Sequence, residues 1–263
     1  MNEEMIMVEF DPGPPPDVAD HLDRLPSYAA HQDLFWYDWG PIFYRGRLDR
    51  SARLLCIASD PGPTERIAGR TLVGDAGQRV QGFLGKLGLT RSYVCVNAYA
   101  YALLPSHSMS AIPILAEPEQ QSWRNGLFSM IVGPELQAVV TFGLQARIAV
   151  GQWSNAPPVM IKNVPHPSSR DATKLITEWR SAVADLRTVV TPDAGGDNSG
   201  PNYGNKFSES DYAPIPRSDL PYGVPSWLGD DSRGRQSHPK RRNTVERDPA
   251  DLLHTLIWRA PTG

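Results

Sequence analysis

Short apolar runs alternate with helical patterns through the middle of the chain. Four runs rich in Val, Ile and Tyr, each bounded by turn-forming residues, predict buried strands at 53–58, 92–97, 137–142 and 158–164. Apolar residues spaced three or four apart predict helices at 80–87, 123–131, 144–150 and 175–186. Strands separated by helices predict an α/β fold whose central sheet has four parallel strands, covered by helices on both faces.

The flanking segments have a different composition. A short helix is expected after the Pro-rich residues 11–16, and the aromatic stretch 35–39 is expected to pack on the core in preference to stacking on bases. Residues 191–234 have little periodicity and predict a long irregular segment or partial disorder, with helical turns again over 251–258. We therefore divide the chain into an N-terminal extension, a catalytic domain and a C-terminal extension, at 1–40, 41–190 and 191–263.

The composition excludes several classes of protein. No apolar run approaches the ~20 residues needed to span a bilayer, and the acidic start lacks a secretory pattern, so we expect a cytoplasmic protein without a membrane partner. The two cysteines, Cys56 and Cys95, lie in predicted strands and are expected to be small buried hydrophobes. Two thiols cannot supply the four ligands of an iron–sulfur cluster, and we expect neither a metal nor a cofactor.

The net charge of −3 is unevenly distributed. Residues 1–50 hold 4 Lys/Arg against 10 Asp/Glu, whereas residues 51–190 hold 13 against 9. A mildly basic middle is compatible with nucleic-acid binding and does not establish it. The basic run 238–242 is interpreted as solvated surface, with phosphate binding as the alternative.

Three polar residues follow three of the predicted strands. Asp60 precedes a Pro-Gly-Pro turn, Asn97 ends the second strand, and His166 comes just after the fourth. In an open α/β sheet these positions share the carboxyl edge, where ligands bind. Asp can orient or deprotonate water, Asn can read a base edge, and His can donate to a developing oxyanion. Each residue also has a structural alternative, as a cap, a turn former or a loop histidine.

Four segments in this order resemble the motifs of the uracil-DNA glycosylase superfamily. They read Ala-Ser-Asp-Pro-Gly at 58–62, Gly-Arg-Thr-Leu-Val-Gly-Asp-Ala-Gly at 69–77, Tyr-Val-Cys-Val-Asn at 93–97 and Val-Pro-His-Pro-Ser at 164–168. The resemblance covers about residues 40–188 and implies a uracil-DNA glycosylase-like three-layer sandwich with a central four-stranded parallel sheet. It also implies that the protein is a monomer that binds DNA.

The resemblance assigns roles to individual residues. Asp60 would serve the hydrolytic water, and His166 would donate to the base, with backbone N–H groups near Gly62 assisting. Asn97 would bind the base edge in a pocket that Gly62 and Leu72 help to form. The DNA contacts would come from Pro63, Ser168, Ser169 and Arg170, and Arg170 would either fill the gap left by the flipped base or bind a phosphate.

Two departures from the family pattern leave the substrate open. Gly62 replaces the Tyr of the best-known uracil enzymes, and Leu72 replaces a Phe that stacks on the base in other branches. Both changes predict a roomier pocket. The default expectation is a DNA glycosylase that releases uracil; the alternative is one for a bulky 5-modified, phage-type cytosine, acting in antiviral defence. A DNA-binding or interaction module without catalysis remains a third interpretation. A nucleotide hydrolase is disfavoured because the Gly-Lys-Ser/Thr phosphate loop is missing.

Overall fold

The computed structural model of the chain describes residues 9–224, Leu228 and two short strands near the C-terminus. The strands of the main sheet are β1 Tyr44–Gly46, β2 Leu54–Ala58, β3 Tyr93–Asn97, β4 Ala138–Phe142 and β5 Met160–Val164. The helices are α1 Pro16–Leu22, α2 Pro63–Ala68, α3 Asp75–Lys86, α4 Pro118–Ile131, α5 Leu144–Gly151 and α6 Ala172–Leu186. The two C-terminal strands are β6 Val245–Arg247 and β7 Leu256–Trp258.

The main sheet has five strands in the order β1-β3-β2-β4-β5. Strands β2 to β5 run parallel to one another, and their positions confirm the four strands predicted from the sequence. The predicted strand count is wrong, because β1 adds a fifth strand antiparallel to β3. Three residues are too few to show an alternating pattern, which is why β1 was missed. The described part of the chain is therefore an α/β fold with a mixed, mostly parallel sheet.

Helices cover both faces of this sheet, as the alternation of strands and helices predicts. Successive strand residues point to opposite faces. One face carries Leu55, Ile57, Val94, Val96 and Val139 and packs in one cluster with residues of α1, α4 and α5. The other face carries Leu54, Cys56, Ala58, Tyr93, Cys95 and Val140 and packs with α3 and α6. Both cysteines are buried, as predicted.

The C-terminal ends of the four predicted helices agree with the structure to within one residue, whereas α3, α4 and α6 begin three to five residues earlier than predicted. Gly88 has the left-handed φ of +69° that lets the chain leave α3. The side chain of Asp171 accepts the N–H of Lys174 and caps α6. Phe35, Trp36 and Trp39 are all buried, which confirms core packing for this stretch. The rings of Trp36 and Trp39 stack 5.2 Å apart.

Residues 191–224 are irregular, as predicted, apart from short 3₁₀ turns at Glu209–Asp211 and Arg217–Asp219. They nevertheless pack on the body of the protein. The Asp193 carboxylate accepts the backbone N–H groups of residues 90, 91 and 92, and it pairs with Arg53. The division of the chain at residues 40 and 190 stays a prediction.

Two further expectations concern the C-terminus. The expected helical turns over 251–258 are wrong for the last three of those residues, because Leu256–Trp258 is a strand paired with Val245–Arg247. Its Leu-Ile-Trp sequence suits a strand at least as well as a helix. The basic run 238–242 lies outside the described residues. In the part of the chain that the structure describes, no helix has both the length and the hydropathy to cross a membrane.

A fully buried arginine connects β1 to the C-terminal segment. The Arg45 guanidinium donates to Gln81 on α3 at 2.7 Å and to the Asp219 carboxylate at 2.8 Å. The hydroxyl of Tyr93 donates to the same Asp219 oxygen at 2.7 Å. A buried cation is tolerated only when it is paired and hydrogen-bonded. Asp219 therefore neutralises a charge that the core contains.

We predict that Asp219→Ala lowers the free energy of unfolding by about 3–5 kcal/mol, because it leaves the Arg45 charge buried without its partner. Urea denaturation measures this loss. The matched control is Asp17→Ala, which removes an exposed partner of Arg50 and should cost less than about 1 kcal/mol. Equal effects of the two substitutions would contradict the prediction.

Candidate active site

A pocket of about 220 Å³ opens at the carboxyl edge of the parallel strands. Six of the nine predicted site residues line it: Asp60, Gly62, Pro63, Leu72, His166 and Ser168. Asn97, Ser169 and Arg170 do not line it. The remaining lining residues are Pro61, Thr64, Glu65, Gly74, Asp75 and Ala76. Three carboxylates and no Lys or Arg therefore line the pocket within the described residues.

Asp60 follows β2 and is held by the chain that leaves β3. The N–H of Leu103 donates to Asp60 Oδ2 at 2.9 Å. Pairing between the two strands continues beyond their ends, because Ala98 donates to the carbonyl of Ala58 at 2.9 Å and Tyr99 to that of Ser59 at 3.0 Å. The backbone on both sides thus fixes the carboxylate at the pocket wall.

His166 is a neutral hydrogen-bond donor at this wall. The N–H of Ser168 donates to His166 Nδ1 at 3.2 Å, which assigns the ring proton to Nε2. Burial lowers the pKa of His166 to about 4, so the imidazole is uncharged at neutral pH. Trp179 Nε1 donates to the carbonyl of Pro165 at 2.9 Å and holds the loop just before it.

Gly143, at the end of β4, makes room for this histidine. Its φ is +96°, and a Cβ there would lie 3.2 Å from the Cβ of His166. A larger residue would be strained in the left-handed region and would also press on the ring. The sequence carries no signal for this packing beyond a glycine after an apolar run.

Asn97 is buried at the carboxyl end of β3 and lacks internal hydrogen-bond partners among the described residues. It lies on the same sheet face as Tyr93 and Cys95, the face on which Leu72 also packs. Neither its amide nitrogen nor its amide oxygen has a hydrogen-bond partner among the described residues. An unsatisfied buried amide costs about 1–3 kcal/mol and is uncommon. A side chain of this kind, at the edge where ligands bind, is suited to a ligand with both a donor and an acceptor.

Leu72 forms part of the pocket wall in a strained conformation. It is buried and has a φ of +52°, a region that residues with a side chain rarely occupy. The backbone of Gly77 packs against it so closely that a Cβ on Gly77 would lie 1.8 Å from the Leu72 carbonyl oxygen. Strain of this kind persists only where the surrounding structure enforces it, and it clusters at functional sites.

Glu65 connects the two pocket segments and was missed by the sequence analysis. Its buried carboxylate accepts the N–H of Gly62 at 3.0 Å, of Val73 at 2.8 Å and of Gly74 at 2.9 Å. The expectation that backbone N–H groups near Gly62 assist the reaction is wrong for Gly62 itself, because Glu65 already binds that N–H. The available signal was a capping box, an acid at the third position of the helix that starts at Pro63.

Two of the four predicted DNA-contacting residues, Pro63 and Ser168, line the pocket, and Ser169 and Arg170 follow Ser168 in the chain. Pro63 begins α2 and is half-buried, and Ser169 is half-buried after His166. Ser168 and Arg170 are exposed. The structure therefore brings Asp60 and His166 into one pocket, whereas Asn97 is buried at the end of β3 outside the pocket lining and Arg170 is exposed on the His166 loop.

No metal centre is apparent, because no group of three or more His, Cys, Asp or Glu side chains suited to a metal occurs among the described residues. Comparison with models of known protein families gave no match. Comparison with curated protein sequences gave no match either. The functional interpretation therefore rests on the motif resemblance and the site geometry alone.

We predict that Glu65→Gln lowers the free energy of unfolding by about 1.5–3 kcal/mol, the range for a hydrogen bond to a charged group. The glutamine amide would turn a donor towards N–H groups that need an acceptor. Urea denaturation measures the loss, and faster hydrogen exchange at Gly62, Val73 and Gly74 would locate it. Glu119→Gln, on an exposed part of α4, is the control. Unchanged exchange at the three amides would contradict the assignment.

We also predict that His166 titrates near pH 4, below the ordinary histidine value of about 6.5. A histidine buried in its neutral form stabilises the fold above its unfolded pKa, and this contribution is lost as the pH falls through the folded pKa. NMR titration of the ring protons measures the value. Replacement by Asn should flatten the stability profile between pH 6.5 and 4. Titration of His166 near pH 6.5 would contradict the prediction.

Proposed function

We propose that the protein is a DNA glycosylase that hydrolyses the N-glycosidic bond of a flipped pyrimidine nucleotide. The observation that carries this proposal is the pairing, in one pocket, of a fixed carboxylate with a neutral histidine that keeps its Nε2 proton. The resemblance of the four motifs to those of the uracil-DNA glycosylase superfamily also supports it. The parallel strands β2 to β5 are compatible with the sandwich that this resemblance implies.

Charge development explains why these two groups suit the reaction. A base within a duplex is inaccessible, so the nucleotide must first leave the stack at a cost of a few kcal/mol. Cleavage then leaves positive charge on the sugar and negative charge on the departing base. The Asp60 carboxylate stabilises the cationic sugar and orients water towards C1′. His166 Nε2–H donates to the base oxygen as that oxygen becomes anionic.

The rest of the pocket is suited to holding a pyrimidine. The Asn97 amide can donate to and accept from the base edge, and both of its polar atoms are free of internal partners among the described residues. The carboxylate-rich lining disfavours a free nucleotide with its phosphates inside the pocket. Ser168, Ser169, Arg170 and Pro63 would contact the DNA backbone instead. On the family resemblance we also propose that the protein is a monomer, and the cytoplasmic location stays an expectation from the sequence composition.

Gly62 favours a 5-substituted pyrimidine as a second candidate substrate. A Cβ at this position would lie 2.7 Å from the Glu65 oxygen, so a Tyr there would have to displace Glu65. Because Glu65 holds three backbone N–H groups, that wall stays open in this chain. Uracil is the default substrate, and a hydroxymethylated or glucosylated cytosine, removed in antiviral defence, is the alternative.

The test is a mass-spectrometric screen for free bases released from DNA that contains uracil, 5-hydroxymethylcytosine or glucosylated cytosine. Wild-type protein should release one of them and leave alkali-labile sites. Asp60→Asn should slow release by about 10²–10⁴-fold, the usual loss for a catalytic acid or base. Asp49→Asn, which changes an exposed loop carboxylate, should match wild type.

Two outcomes would reject the proposal. If no base is released from any substrate, or if Asp60→Asn retains wild-type rates, the catalytic assignment fails. Tight binding to abasic or modified DNA without base release would instead favour a DNA-binding module that keeps the fold and lacks the reaction.

A further inference from the structure

An arginine on α3 connects the His166 loop to the C-terminal segment. Arg79 Nη1 donates to the carbonyl of Pro167 at 2.5 Å, and Arg79 Nε donates to the hydroxyl of Tyr212 at 2.9 Å. Its guanidinium also lies 5.0 Å from the ring centre of Phe207 and 5.3 Å from that of Tyr212. Two aromatic rings and a hydroxyl therefore fix the direction in which Arg79 points.

Those rings belong to residues 203–213, which we call the strap. The strap lies along α3, where Ala213 donates to the carbonyl of Gln78 at 3.1 Å and Asp211 pairs with Lys86 at 2.8 Å. The contact is so close that a Cβ on Gly82 would lie 2.0 Å from the Asp211 carbonyl oxygen. Only a glycine permits this approach, so the helix sequence accommodates the strap.

The strap supports both donors that hold the His166 loop. The carbonyl of Pro165 accepts from Trp179, and the carbonyl of Pro167 accepts from Arg79. Phe207 contacts both donors, with its ring 5.7 Å from that of Trp179 and 5.0 Å from the Arg79 guanidinium. The carbonyls before and after His166 are thus hydrogen-bonded by two side chains, Trp179 and Arg79. Phe207 packs against both of these side chains.

We propose that the strap is a positioning element for His166 and that Arg79 is the positioning residue through which it acts. This inference rests on the proposed glycosylase function. The C-terminal segment would then be part of the catalytic apparatus without touching the substrate. Displacing a reacting group by about 1 Å can cost about 10²-fold in rate. A hydrogen bond that holds the carbonyl of the next residue, Pro167, can therefore affect the rate of base release.

The test compares Arg79→Met with Arg53→Met. Arg53 also binds the C-terminal segment, because it donates to the carbonyl of Pro192 at 2.7 Å. Arg53 directly precedes β2 and therefore lies at the amino end of the parallel strands, away from the pocket. We expect Arg79→Met to lower the single-turnover rate of base release about 10–100-fold while the Kd for DNA stays within about twofold. Arg53→Met should leave the rate within about twofold of wild type.

NMR titration of His166 gives a readout that does not require activity. A loosened loop exposes the ring to water, so its pKa should rise from about 4 towards the ordinary value in Arg79→Met, and stay near 4 in Arg53→Met. Asp60, Glu65 and Asp75 line the same pocket and are unchanged in both variants. Tyr212→Phe, which removes only the hydroxyl, should shift the rate and the pKa in the same directions by less, and it replaces Arg79→Met if that variant fails to fold.

The inference is overturned if His166 still titrates near pH 4 in Arg79→Met, or if Arg79→Met and Arg53→Met lower the rate equally. Failure of the proposed function has a different signature. In that case wild type releases no base from any DNA, yet the pKa of His166 still moves in Arg79→Met and leaves the positioning role intact.

Discussion

The arrangement of the pocket depends on the carboxylate of Glu65. It lies within the first turn of α2, where a negative charge is favoured by the helix dipole. It accepts backbone N–H groups from the loop after β2 and from the segment before α3. Residues of both segments line the pocket, so one buried side chain fixes the distance between them. Hydrogen bonds to a charged acceptor are roughly twice as strong as those between neutral groups.

The hydrogen bonds of Glu65 give Gly62 a structural role in addition to the one inferred from the sequence. As a sequence feature it is an open wall where the uracil enzymes that the motifs resemble place a tyrosine. In the structure its N–H donates to Glu65, and a Cβ there would lie 2.7 Å from the Glu65 carboxylate oxygen, so a side chain would have to displace a carboxylate that holds three backbone N–H groups. The glycine is therefore required by the pocket's own architecture as well as permissive for a larger base. In the proposed reaction, substrate choice would then also depend on Leu72, which lines the same pocket.

The sequence analysis succeeded where the information is local. Periodicity placed the four parallel strands, and the rule that ligands bind at their carboxyl edge placed Asp60 and His166 together. It failed for β1, which has three residues, and for Glu65, whose donors at Val73 and Gly74 lie eight and nine residues further along. Arg79 depends on Tyr212, 133 residues away in an irregular segment. No periodic pattern encodes such a contact.

Asp60 and His166, the two groups proposed to react, are oriented by different hydrogen bonds. Asp60 is oriented by the chain that leaves β3, whereas His166 is oriented by α3, α6 and the strap. Strand β4 lies between β2 and β5, the strands that precede the two groups. Hydrolysis requires both groups to hold their geometry within about 0.5 Å. The sheet sets the distance between Asp60 and His166, and the hydrogen bonds around each residue set its orientation. Under the proposed function, the irregular C-terminal segment would therefore contribute to the site through Arg79 and Trp179.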